Sequence, residues 1–306
     1  MEHIYDMIII GGGPAGYTSA LYASRAGFDT VIIEKMSVGG QMMLTDVIDN
    51  YPGFPQGVDG FTLSENMRLS AERFGATTMY DEVVKVELSG EIKEVETAYS
   101  GTLLSKTVVI ATGANPRELG LENEQELLGA GIHYCAHCDG RFYKDKVAVV
   151  VGGGNSAVSD ALYLSHLCKK VYLVHRRDVL RATKIYHDQI EKAENIEFCY
   201  NSVLSKVESE NSKVSSVSLI DVKTNEKRDI DCDGVFISIG RKPATDFLED
   251  ALELDSGGYI VADESTKTSI DGVFAVGDVR TKVLRQVVTA VSDGAVAVHF
   301  AEEFLA

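Results

Sequence analysis

The chain has 306 residues, a length that corresponds to roughly two domains of ordinary size. Its 45% hydrophobic and 25% charged residues exclude a disordered chain, a collagen and a small disulfide-stapled scaffold. With 29 Lys and Arg against 46 Asp and Glu the net charge is −17, which favours solubility and argues against nucleic acid as a partner.

The start, Met1-Glu2-His3-Ile4-Tyr5-Asp6, has neither a basic n-region nor an apolar signal core. No apolar run reaches the roughly 18 residues of a membrane span. A cytoplasmic protein without a membrane segment is therefore expected. Five cysteines, an odd number, argue against a secreted disulfide framework.

Met7 to Ile10 reads as a strand, followed by Gly11-Gly12-Gly13-Pro14-Ala15-Gly16, a helix-like stretch Tyr17 to Ala26, and a second strand Thr30 to Ile33 that ends in Glu34. This is the dinucleotide-binding fingerprint in its required context. Gly11 permits the tight turn, Gly13 lets a pyrophosphate approach the backbone, and Gly16 lets the helix pack on the strand. The helix N-terminus faces the phosphate charge, and Glu34 is placed to accept hydrogen bonds from a ribose.

Val108-Val109-Ile110-Ala111-Thr112-Gly113, running into Ala114-Asn115-Pro116, reads as a buried strand that stops at glycine and leaves through proline. Val235 to Gly240, running into Arg241-Lys242-Pro243, repeats the pattern. Both are read as crossings between domains. The expected organisation is α/β, with two Rossmann-like, three-layer ββα dinucleotide-binding domains, the second inserted into the first. The first comprises residues 1–116 and 244–306, the second residues 117–243.

Cys135-Ala136-His137-Cys138-Asp139-Gly140 holds the one close cysteine pair, whereas Cys168, Cys199 and Cys232 are isolated. A zinc site needs further ligands at ligand spacing, and no second CxxC exists, so no metal is expected. Two inert core thiols are the bland reading, and a reversible disulfide is the redox one that a cytosolic CxxC favours. Asp139 reads as a proton donor and acceptor for the thiols or as a turn residue. His137 reads as a tuner of the thiols or as an exposed spectator.

Val147 to Val151 and Gly152-Gly153-Gly154-Asn155-Ser156-Ala157 then repeat the first fingerprint, and Ala161-Leu162-Tyr163 repeats Ala20-Leu21-Tyr22 at the same offset. Here the position of Glu34 is taken by His175, followed by Arg176 and Arg177, with Arg181 beyond. Loss of the acid and gain of guanidinium groups suit a ribose carrying a 2′-phosphate, hence NADPH. Asn211-Ser212-Lys213 and Thr224-Asn225 read as hairpin turns. The tail, Gly272 to Gly277-Asp278, returns to the first fold, with Asp278 at a strand end to orient a hydroxylated cofactor chain. NADPH gives a hydride, whereas thiols exchange electrons through sulfur, and a flavin is the usual converter. The first nucleotide site is therefore read as an FAD site.

The chain resembles the low-molecular-weight thioredoxin reductases of bacteria and archaea along essentially its whole length. The match rests on GGGPAG at 11–16, GGQ at 39–41, NYPGF at 50–54, ATG at 111–113, CAHCDG at 135–140, GGGNSA at 152–157, HRRDVLR at 175–181, GVFAVGD at 272–278 and RQVVTA at 285–290. The resemblance implies FAD, NADPH, a homodimer and reduction of thioredoxin. It implies that Cys138 lies nearer the flavin, that Cys135 attacks the protein substrate through a mixed disulfide, and that Asp139 is the acid/base. It also implies that Gly40, Gln41, Asn50, Asp278, Arg285, Gln286 and Val287 contact FAD, with Ala111, Thr112, Gly113 and Gly277 in the same site. The chain departs from the commoner pattern at His137, where threonine or valine is usual, and at Arg141, where an aromatic is frequent. Because the nicotinamide and the disulfide must meet one flavin in turn, rotation of the inserted domain between two half-reactions is expected.

Readings of other classes fit less well. A flavin reductase of the ferredoxin–NADP type does not need Cys135 and Cys138. A reductase of a peroxidase usually carries an extra N-terminal thiol domain. A nucleotide-sensing module has no use for CxxC-Asp, and Arg176, Arg177 and Arg181 argue against a donor other than NADPH.

Overall fold

Runs of β-branched residues closed by glycine turns build two units, Met1–Asn115 with Lys242–Ala306 and Pro116–Arg241. The structure is a computed structural model and describes residues 3–45, 47–183, 189–190 and 192–306.

In the first unit the strand Ile4–Ile10 lies between Thr30–Glu34 and Gly101–Ile110, parallel to both. Thr77–Tyr80 extends the parallel sheet on one side, and the returning strand Val273–Ala275 extends it on the other. Val83–Glu87 and Lys93–Thr97 add an antiparallel ribbon to the N-terminal half of Gly101–Ile110. Alternation along the central strand fills both faces. Met7 and Ile9 pack with Ala15, Tyr17, Ala20 and Ala297 of the helices Pro14–Arg25 and Val287–Leu305. Ile8 and Ile10 pack with Val86, Leu88 and Val95 on the ribbon side.

The second unit repeats the plan. Its parallel sheet runs Ile196–Cys199, Lys170–Val174, Val147–Val151, Gly234–Ile237 and Ile132–His133. Ala148 and Val150 pack on Ala157, Ala161 and Leu164 of the helix Asn155–Ser165. Val149 and Val151 face Leu204, Val207 and Val217 of the antiparallel sheet Ser202–Glu210, Lys213–Asp221 and Lys227–Asp231. The two turns expected from asparagine lie at the ends of these strands, with Asn211, Ser212 and Asn225 at φ 51°, 61° and 62°.

The fifth parallel strand has a different origin in each unit. In the first it is the returning segment Val273–Ala275, whereas in the second it is Ile132–His133, which precedes the glycine-loop strand in the chain. The chain crossings Ala114–Pro116 and Arg241–Pro243 pair with each other as a two-stranded ladder.

Candidate active site

In the first unit the loop after Ile4–Ile10 turns at Gly11, whose φ is +105° and whose added Cβ would lie 2.6 Å from the Ala111 carbonyl oxygen. Only glycine fits that approach. Beyond it Gly13 opens on free space, and Pro14 starts the helix. Among the described residues no side chain caps that helix, so its first N–H groups, including those of Ala15 and Gly16, are left for a ligand. Glu34 is fixed beneath the loop. Its Oε2 accepts from Gly12 N–H at 2.7 Å and its Oε1 from Met36 N–H at 3.0 Å, which leaves further lone pairs for a ribose hydroxyl.

Other segments of the same unit hold the remaining expected flavin contacts. Gly39 N–H donates to the Gly12 carbonyl at 2.7 Å, which sets the turn that carries Gly40 and Gln41 beside the glycine loop. Gln41 Nε2 donates to Asn115 Oδ1 at 3.2 Å, and Asn50 Nδ2 donates to Gln286 Oε1 at 2.8 Å. Ala111 is hydrogen-bonded to the Ile10 carbonyl, and Thr112 Oγ1 and Gly113 O both engage Ala244. The Arg285 guanidinium lies over the Tyr259 ring at 4.1 Å and reaches the Asp278 carbonyl at 3.5 Å. Gln286 is the N-cap residue of Val287–Leu305, with its N–H on Thr289 Oγ1 at 3.1 Å.

A buried ion network, absent from the sequence reading, holds this return segment. Asp293 accepts from Gly277 N–H at 2.9 Å, from Arg280 at 2.9 Å through both Nε and Nη2, and from Lys282 Nζ at 2.7 Å. Arg280 is 1% exposed. Burial opposes the Asp293 charge, and the hydrogen bonds from Arg280 and Lys282 outweigh it, so its carboxyl pKa lies below the usual range.

In the second unit the glycine loop is built the same way. Gly152 has φ +152°, and a Cβ there would lie 2.4 Å from the Ser238 carbonyl. Gly154 opens on free space, and the helix Asn155–Ser165 has no side-chain cap among the described residues. Asn155 Oδ1 accepts from Thr183 N–H at 2.8 Å, while Arg181 N–H donates to the Gly153 carbonyl at 2.6 Å. These bonds fold Arg181 back onto the loop. Ser156 is exposed beside it, and Ala157 is buried under Gly152.

Arg176 and Arg177 stand exposed at the strand end. His175 does not join them in solvent. Its ring lies under Gly153, and its buried Nε2 has no partner among the described residues. Burial lowers its pKa, and the charges of Arg181, Arg177 and Arg176 act the same way, so at neutral pH the cationic charge here is that of the arginines.

The cysteine pair sits at the carboxyl end of a strand of this same sheet, where open α/β sheets bind ligands. Ile132–His133 leads through Tyr134 to Cys135, and Cys135–Cys138 is closed as a disulfide around the short helix Ala136–Asp139. Both cysteines are half-buried. Tyr134 is tied down by its hydroxyl, which donates to Glu124 Oε1 at 2.7 Å. His137 is exposed and its ring lies 4.3 Å from that of Tyr163 on Asn155–Ser165. Asp139 turns inward and pairs with His133 Nδ1 at 3.0 Å, and His133 Nε2 meets the Tyr143 hydroxyl at 2.6 Å. Asp160 of Asn155–Ser165 shares a hydrogen bond with the Ser238 hydroxyl. Burial raises its pKa against that bond and the charges of His137 and Arg241.

The sequence reading missed His133, Tyr143 and Asp160. His133 ends a two-residue buried strand, and no spacing rule ties it to Asp139. The remaining thiols are inert by position: Cys168, Cys199 and Cys232 are buried, and burial raises the pKa of each.

Both units thus present an open glycine cradle at an uncapped helix N-terminus, and only the second adds arginines. These features fit a dinucleotide with an unmodified ribose in the first unit and a 2′-phosphorylated one in the second.

The sequence pattern of the pyridine nucleotide-disulphide oxidoreductases matches residues 5–294. The thioredoxin reductase of Treponema pallidum is 46% identical over 305 residues, which cover 100% of this chain and 98% of that protein. A crystal structure of thioredoxin reductase from Streptococcus pyogenes is 44% identical, covers 100% of this chain and 99% of its own, and superposes with a TM-score of 0.91. Thioredoxin reductase from Lactococcus lactis, solved in its FR conformation, is 40% identical, with 98% and 99% of the two chains covered and a TM-score of 0.70.

Proposed function

This chain belongs to the pyridine nucleotide-disulphide oxidoreductases, and from that premise we propose that it is an NADPH-dependent flavoprotein that reduces thioredoxin through Cys135 and Cys138. One observation carries this reading. A disulfide stands at the carboxyl edge of the parallel sheet in which Val147–Val151, two strands away across Gly234–Ile237, ends in a nucleotide loop flanked by Arg176, Arg177 and Arg181.

FAD is held by the first unit, through Gly11, Gly13 to Gly16, Glu34, Gly40, Gln41, Asn50, Ala111 to Gly113, Gly277, Asp278 and Arg285 to Val287. NADPH is held by the second, through Gly152, Gly154 to Ala157, Arg176, Arg177 and Arg181, with His175, expected from the sequence to join them, packed instead beneath Gly153. Residues 1–116 and 244–306 accordingly form the FAD domain and residues 117–243 the NADPH domain. Bound together, the two cofactors supply the conversion of a hydride into the electron pair that opens a disulfide.

The chain's own residues perform the exchange. Cys135 attacks the disulfide of thioredoxin and forms a mixed disulfide. Cys138 then attacks Cys135 and releases the second thiol of thioredoxin, while Asp139 carries the proton. A donor other than NADPH has no use for the three arginines.

The coenzyme site and the cysteine pair belong to the same unit, and each must reach the flavin. The inserted unit therefore rotates as a rigid body about the paired crossings Ala114–Pro116 and Arg241–Pro243. The working form is a homodimer in the cytoplasm. Among the described residues no helix is long and apolar enough to cross a membrane. The deciding experiment follows NADPH oxidation by the purified flavoprotein with oxidised thioredoxin. Consumption that requires thioredoxin supports the reading, and none above the flavin's own oxidase rate overturns it. Light scattering checks the dimer.

A further inference from the structure

Asp139 is the acid/base that the proposed exchange needs, yet the residue is turned into the second unit and is 9% exposed. What it meets there is a closed hydrogen-bonded chain. Asp139 Oδ2 lies 3.0 Å from His133 Nδ1, and His133 Nε2 lies 2.6 Å from the Tyr143 hydroxyl. His133 and Tyr143 are each 7% exposed. The chain is sheathed in rings: His133 stacks on Phe236 at 5.2 Å, and Tyr143 meets both edge-on at 5.3 and 5.2 Å. Tyr143 also lies over Gly234, where a Cβ would come within 2.3 Å of its ring, so its hydroxyl has little freedom to leave.

The donor and acceptor count gives this chain two charge states. With Asp139 ionised and His133 neutral, His133 donates from Nδ1 to Asp139 and accepts from Tyr143. With one more proton, held on the Asp139–His133 hydrogen bond, His133 donates from Nε2 to the Tyr143 oxygen, whose hydroxyl hydrogen turns away. Each nitrogen and oxygen of the chain keeps a partner in both states, the Tyr143 oxygen as donor in the first and as acceptor in the second. Asp139 alone, buried in this setting, would have no such second arrangement.

We propose that His133 is a positioning residue that holds Asp139 and shares with it the proton leaving Cys138 during thiol–disulfide exchange. The inference rests on the reading of Cys135 and Cys138 as an exchanging dithiol. In the resolving step the bond between Cys135 and the partner sulfur breaks, and the bond between Cys138 and Cys135 forms. The Cys138 proton passes to the Asp139–His133 pair and from it to the departing partner thiolate, so the step needs no further oxidant or reductant. Tyr143 closes the chain without changing its own protonation. Its pKa is raised, first by burial and then by the Asp139 charge.

Among the described titratable and charged residues that face this chain, Cys135, Cys138, His137 and Arg141 lie on its own turn, Lys146 lies 5.6 Å from the Tyr143 ring, and Asp233 with the buried thiols Cys168 and Cys232 acts electrostatically on Tyr143.

The test uses the flavoprotein reduced with dithiothreitol, desalted, and alkylated with iodoacetamide from about pH 5 to about pH 9, a range that spans thiolate formation. Alkylation of the Cys135 and Cys138 peptides is read by mass spectrometry. His133→Asn still donates one N–H to Asp139 but stores no proton. It is expected to remove one ionisation from the Cys138 profile and to slow Cys138 alkylation at neutral pH about ten-fold, the effect of one pKa unit. Tyr143→Phe removes one hydroxyl and is expected to shift the profile in the same direction by less. Profiles of both variants that superpose on the parent's, while Asp139→Asn alters it, would overturn the proposal and leave His133 a packing residue. If His133→Asn loses its flavin or its cooperative unfolding, Tyr143→Phe decides alone, and a parent-like profile overturns the proposal. Neither NADPH nor thioredoxin enters this assay. Failure of thioredoxin reduction therefore shows in the turnover experiment, and failure of proton sharing shows here.

Discussion

Asn50 and Gln286 stand 236 positions apart in the chain, and Asn50 Nδ2 donates to Gln286 Oε1 at 2.8 Å. The bond ties the loop after the first glycine cradle to the N-cap residue of Val287–Leu305. It braces two segments that the proposed function assigns to one flavin.

Asn50→Ala removes this brace. A neutral hydrogen bond contributes about 1 kcal/mol, so FAD retention should weaken about five-fold, with the fold intact. Flavin fluorescence on titration of the apoprotein measures it. Unchanged retention would show that the two segments position themselves independently.

Arg176, Arg177 and Arg181 offer charge-assisted contacts that NADPH can use and NADH cannot. Arg176→Ala with Arg177→Ala should lower kcat/KM for NADPH by about a hundred-fold or more, at roughly 1.5–3 kcal/mol per contact, and change NADH little. Equal efficiency of the parent enzyme with both coenzymes would remove the 2′-phosphate from the account.

Cys135→Ser should leave bleaching of the flavin by NADPH intact and abolish thioredoxin reduction. Cys138→Ser should also abolish turnover, because the mixed disulfide can no longer be resolved. Near-normal turnover by either variant would show that the exchanging pair lies elsewhere.

Asp293 is the anion between two buried cations, Arg280 and Lys282. Asp293→Ala takes the carboxylate from Lys282 and leaves Arg280 with Glu264 at 3.7 Å, and loss of one partner of a buried pair costs about 3–5 kcal/mol, read as a lower unfolding midpoint. The pH dependence follows from the lowered Asp293 pKa. Its stabilisation is fully present above the unfolded-state value of about 3.9 and is lost as pH falls through the lower folded value. Acid unfolding below about pH 4 should therefore be less steep in Asp293→Ala than in the parent. Parallel acid curves would contradict this.

Locking the two units with a cross-link between engineered surface cysteines should preserve one half-reaction and block turnover, since the inserted unit must reorient between them. Rapid mixing resolves the two steps. Normal rates for both in the locked protein would rule out rotation.

The glycine cradles were legible in the sequence because their cause is local. Gly11 and Gly152 must adopt positive φ beside a carbonyl, a demand that one residue type meets. The strand runs were legible for a related reason: Met7–Ile10 and Val147–Val151 are apolar throughout because both faces of each sheet are covered. The cysteine pair, the strand-end glutamate and its replacement by His-Arg-Arg were legible as chemistry placed at motif spacing.

Tertiary structure alone decided the contacts that organise those motifs. His133 reaches Asp139 and Tyr143 because a short edge strand delivers it to the carboxyl end of the sheet. Asp293 reaches Gly277, Arg280 and Lys282 because the C-terminal helix lies along the return segment. His175 falls under Gly153, although its neighbours Arg176 and Arg177 stay exposed. Backbone sterics act over a few residues and so leave a pattern in the sequence. A side-chain contact between packed elements depends on strand order and helix placement, and those are set by burial summed over each unit rather than by any spacing along the chain.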